Sequence, residues 1–129
     1  MAKCEDCSVN GNGLGYIPKS VLGATINYLH EKSMDMMDIV DIMKCSGPPY
    51  PDKEMFETTS EAYFLECAVA LLMKDTALEP TRSVLFRSAA SIALKLGRLG
   101  EVKELGEMGL SGDPPPEIAD EIRELMKGV

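Results

Sequence analysis

Apolar residues recur along most of this chain at intervals of three and four, the period of an amphipathic helix. Val21, Leu22, Ile26 and Leu29 begin the pattern. Pro18 can open that helix, since its missing N–H is no loss in a first turn. Ser33 is a candidate N-cap for a second helix. In that helix Asp35, Asp38 and Asp41 form a polar stripe among residues that are nearly all apolar. The pattern predicts an N-terminal helical pair over residues 18–46, its second member mostly buried. Pro48, Pro49 and Pro51 cannot continue a helix, so residues 47–57 read as a Pro-rich linker. Beyond it, Ala62, Leu65, Val69, Leu72 and Met73 make one stripe from Thr58 or Thr59 to about Thr76. Glu79-Pro80 breaks the chain before a helix over Thr81–Gly97. Another follows over Leu99–Leu110, and Ile118, Ile122, Leu125 and Met126 mark a last amphipathic helix. No segment alternates with the period of a strand. Residues 1–17 are Cys- and Gly-rich and read as irregular. The fold class is all-α.

The stretch KLGRLGEVKELGEMGLSGD carries Gly97, Gly100, Gly106, Gly109 and Gly112, yet its leucine and charge period stays helical. A glycine inside a helix costs about 1 kcal/mol relative to alanine. Small residues on facing helices offset that by letting the axes approach. Ala89, Ala90 and Ala93 are the residues expected opposite Gly106 and Gly109. Gly97 and Gly112 suit helix ends, where a left-handed residue is useful.

Two breaks of the same form, Glu79-Pro80 and Asp113-Pro114, lie 34 residues apart. A helix, a tight turn at Gly97-Arg98 and a second helix fill the interval. With Phe86, Ala90, Gly97, Glu101, Gly109 and Leu110 in their places, residues 83–114 resemble one tetratricopeptide repeat. Ala93, Val102 and Gly106 depart from the family's usual residues. Residues 58–129 then form a tetratricopeptide-like helical hairpin array with a C-terminal capping helix. Such a short array leaves an apolar side, to be covered by the Met-rich helix 33–45 or by a second subunit, so a homodimer is expected.

The 129 residues suffice for one core. The net charge of −8 speaks against a nucleic-acid or anionic-membrane partner. No apolar run has the roughly 18 residues needed to span a bilayer, and MAKCEDC lacks a signal-peptide hydrophobic region. The expected location is the cytoplasm. Nine methionines and no tryptophan suit an adaptable core.

Against this acidic background, Thr81–Arg98 holds Arg82, Arg87, Lys95 and Arg98 and no acid. Arg87, Ser91 and Lys95 share one helix face. The resemblance implies that this face, with Arg98, receives a partner protein or peptide through an acidic or C-terminal carboxylate group. The plainer alternative is pairing with Glu61, Glu66 or Glu101. Cys4 and Cys7 have the spacing of a redox dithiol or of half a zinc site, which Cys45 and His30, or the same pair from a second chain, would complete. CEDC followed by glycines loosely resembles the knuckle of DnaJ-type cochaperones but lacks their second CxxC. Cys67 reads as a small core residue and His30 as a surface or boundary residue. A helix-turn-helix over residues 18–50 is disfavoured by the prolines that follow. No catalytic set is present, and GNGLG precedes no strand–helix unit that would bind a nucleotide. The sequence therefore favours a non-enzymatic interaction adaptor or assembly factor without a cofactor, with a small zinc-binding regulatory protein as the alternative.

Overall fold

The computed structural model describes residues 21–129 in full and, before them, the backbone of Cys7–Val9 and Tyr16–Pro18. Five helices dominate these residues: α1 (Val21–Cys45), α2 (Asp52–Leu72), α3 (Thr81–Lys95), α4 (Leu99–Leu110) and α5 (Pro116–Met126). The protein is all-α in class. The N-terminal segment nevertheless contains a short antiparallel hairpin of β1 (Cys7–Val9) and β2 (Tyr16–Pro18), with Cys7 opposite Pro18. Pro18 thus ends a strand instead of opening a helix, a place where a residue without an N–H is tolerated.

The expected N-terminal helical pair is a single helix. Glu31, Lys32 and Ser33 contain no breaker, and Ser33 sits inside α1 with its hydroxyl donating to the Ala62 carbonyl of α2 at 3.0 Å. A serine that finds an acceptor on a neighbouring helix has no need to cap its own. The Met-rich half of α1 is also less buried than its pattern suggests. Met37 and Val40 face inward, whereas Ile39 and Ile42 lie in solvent. Asp52 begins α2, so residues 47–57 are not one continuous linker. Asp52 and Glu54 place negative charge in the first turn, where the helix dipole favours it.

One core runs through α1 to α4. It includes Ile26 and Met37 from α1, Val69 from α2, Leu85 and Phe86 from α3, and Val102 from α4. The N-terminal helix and the later helices therefore form one body, not two units joined by a tether. Fully buried Ile122 anchors α5.

The turn from α3 to α4 is a Schellman motif. Arg98 N–H donates to the Ala93 carbonyl at 2.9 Å and Gly97 N–H to the Leu94 carbonyl at 3.1 Å. Gly97 has a φ of +74°, the left-handed conformation this motif asks of its residue. The glycines inside α4 make room for other neighbours than the alanines of α3. A Cβ on Gly109 would lie 2.9 Å from Ile122 Cδ1 and 3.0 Å from Phe86 Cβ, and one on Gly106 2.7 Å from Met126 Cγ. Close approach to α5 and Phe86 is their physical reason. Gly112 is likewise not a left-handed cap: a Cβ there would meet Arg82 Nη1 at 2.7 Å.

Candidate functional site

The absence of acids in α3 leaves its cations to find partners on other helices. Arg87 does so on α5, donating from Nη1 to Glu121 Oε1 at 2.8 Å. Both side chains are partly exposed, so the pair contributes at most about 1 kcal/mol. Arg87, Ser91 and Lys95 line a groove of about 570 Å³ between α1, α3 and α5. Met34 and Met37 of α1 form part of its wall, and Glu121 and Glu124 bring acid from α5. A second recess of about 160 Å³ shares Met37 and Lys95 with the first and adds Lys44 and Phe56. The larger recess carries acid from α5, and the smaller one carries Lys44 beside Phe56 near the start of α2. Exposed Lys95 stands between them.

Arg98 does not join Arg87, Ser91 and Lys95. Its guanidinium pairs with Glu101 at 3.0 Å and lies over the rings of Tyr63 and Phe64, at 5.1 and 5.5 Å from their centroids. Glu101 thus takes one of these cations, as the plainer sequence reading expects, whereas Glu66 meets His30 instead. Arg82 is buried. It donates from Nε to the Lys74 carbonyl at 2.8 Å and from Nη2 to Ser111 Oγ at 3.3 Å, and it stacks on Phe86. It ties the ends of α2 and α4 to α3.

His30 is not a boundary residue. Its Nδ1 lies 2.8 Å from Glu66 Oε2, and both side chains are sealed between α1 and α2. The second oxygen, Glu66 Oε1, is buried without a hydrogen-bond partner. Cys45 is exposed at the far end of α1. Fifteen residues of helix, about 22 Å, separate it from His30, so the two cannot complete one zinc site. Among the described residues no group of three His, Cys, Asp or Glu could hold a metal ion. Cys4 lies outside the described residues, and of Cys7 only the backbone is described.

Cys67 is half-buried and burial, the largest influence, pushes its thiol up; Glu101 and Glu66 add to this. Tyr63 is pushed well above the ordinary phenol range by burial first, then by hydrogen bonding with Cys67 and Glu101. Its hydroxyl donates to Glu101 Oε2 at 2.9 Å. Neither group is poised as a nucleophile or base at neutral pH.

Sequence reasoning missed the contribution of α1 and α5 to the groove. One signal was available: Glu121 follows Arg87 by 34 residues, the same interval that separates the two acid–proline breaks. No helix among the described residues is long and apolar enough to cross a membrane. No family model, curated protein or solved structure matches the chain.

Proposed function

We propose that the protein is a non-enzymatic adaptor that holds an extended or helical segment of a partner protein in the groove between α1, α3 and α5. The observation that carries this reading is the opening of Arg87, Ser91 and Lys95 into one groove beside Met34 and Met37. Thioether side chains adapt to varied apolar surfaces. Exposed Lys95 offers charge-assisted hydrogen bonds to a carboxylate. The partner group for that end is an acidic side chain or a C-terminal carboxylate, and the expected setting is the cytoplasm.

A tetratricopeptide-like reading accords with this use. The odd-numbered helices α1, α3 and α5 line one groove. The 34-residue interval recurs in the Arg87–Glu121 pair and in the Glu79–Asp113 contact.

Selection of a displayed library of peptide C-termini on the immobilised protein tests the reading. Enriched sequences should combine apolar residues with an acidic end, and Arg87→Ala with Lys95→Ala should weaken their binding at least about tenfold, or 1.4 kcal/mol. Failure to enrich any sequence, or binding indifferent to both substitutions, would overturn it.

A further inference from the structure

The face of α1 turned away from the core bears a second pattern, four apolar residues among four polar ones, that neither the core nor the groove uses. From Val21 to Ser46 its positions follow at alternating steps of four and three residues, the spacing of a coiled-coil seam. Every position of this seam is exposed. Val21 is 86 % exposed, Tyr28 61 %, Ile39 47 % and Ile42 66 %. Large apolar side chains lined up in this way on a soluble surface mark an interaction site.

The polar members of the seam say what covers it. Thr25 and Ser46 turn their hydroxyls back onto the carbonyls of Val21 and Ile42, at 2.8 and 3.0 Å, so neither needs an outside hydrogen-bond partner. Lys32 and Asp35 occupy the centre, and among the described residues neither is in an ion pair. The spacing reads the same in both directions about their midpoint. An antiparallel second copy would set Lys32 opposite Asp35 of that copy, and Asp35 opposite its Lys32. The same alignment sets Tyr28 against Ile39 of the second copy and Thr25 against its Ile42. This is the reciprocal pairing a two-fold interface requires. A parallel alignment would instead oppose lysine to lysine and aspartate to aspartate.

The flanks agree. Leu22, about half-exposed, widens the apolar strip on one side. Glu31 and Asp38 flank the other side at the solvent-exposed rim, where water and salt screen like charges.

We infer that α1 pairs with α1 of a second copy as an antiparallel two-helix seam, registered by two reciprocal Lys32–Asp35 pairs. The seam lies on the side of α1 remote from Met37, so the dimer leaves both grooves open. Two grooves on one body would let a partner with two binding segments gain avidity. The pairing itself does not depend on what the groove binds.

Sedimentation equilibrium of the full chain decides it, with Lys32→Glu, Asp35→Lys and the double reversal compared with the unaltered protein. All these positions are exposed, and circular dichroism verifies that each variant is folded. The unaltered protein should be a dimer. Each single reversal opposes like charges twice and should weaken the dimer at least about tenfold, equivalent to 1.4 kcal/mol. The double reversal restores opposite charges and should recover the dimer. A monomeric unaltered protein at about 100 μM, far above ordinary dimer constants, would overturn the inference. So would single variants that stay dimeric, or a double variant that stays monomeric.

Discussion

His30 and Glu66 meet at 2.8 Å across the α1–α2 interface, both side chains cut off from water and one carboxylate oxygen unpartnered. A buried polar pair of this kind is asymmetric in its energetics. Removing one partner strands the other, at about 3–5 kcal/mol, whereas replacing both by packed apolar residues is often neutral or stabilising. Glu66→Leu with His30→Leu should therefore be at least as stable as the unaltered protein, while His30→Ala alone should be destabilised by several kcal/mol. Urea denaturation of the three proteins checks the contrast. A His30→Ala loss below 1 kcal/mol would show that water reaches the pair.

The glycines of α4 should respond to alanine in opposite directions. Gly109 faces Phe86 Cβ, which cannot swing away, and fully buried Ile122. Gly109→Ala should cost about 1–3 kcal/mol by overpacking. Gly100 faces open space, so Gly100→Ala should stabilise by up to about 1 kcal/mol through helix propensity. Gly106→Ala presses on the flexible end of Met126 and should fall between them. Thermal melts of the three variants give the order directly.

Alkaline pH should weaken the fold through α2. Tyr63 and Cys67 both hold their protons more tightly when folded, chiefly because they are buried. A group whose folded pKa is raised contributes stability below its unfolded pKa and loses it as pH rises. The decline should begin near the ordinary thiol value of about 8.5 and steepen past the phenol value of about 10. Tyr63→Phe should flatten the steeper limb, and Cys67→Ala the shallower one. Stability measured from pH 7 to 11 tests both, and an unchanged slope in Tyr63→Phe would exclude that residue as the source.

Thiol chemistry should separate the two cysteines whose side chains are described. Cys45 is exposed, while Cys67 is half-buried with its thiol held protonated. Since the thiolate is the nucleophile, brief iodoacetamide treatment near neutral pH should label Cys45 well before Cys67. Peptide mapping by mass spectrometry reads the order, and equal labelling would show that the packing around Cys67 opens readily.

Helix period and breakers determined the all-α class, the turn at Gly97 and the span of α4, because these depend on neighbours within a few residues. The face shared by Arg87, Ser91 and Lys95 was legible for the same reason: a helix fixes which residues lie together. Tertiary structure decided what those residues face. Ser33 reads as a cap until the Ala62 carbonyl is beside it. Glu66 reads as a partner for the cations of α3 until His30 meets it from another helix. Arg98 belongs to the basic run in sequence, but Tyr63, Phe64 and Glu101 hold it away from the groove. The glycines of α4 read as facing the alanines of α3, yet it is α5 and, on α3, Phe86 that press against them. In each case a deciding contact comes from another helix. Local periodicity gives the direction in which a side chain points along its own helix, and only the packing of helices gives what it meets there.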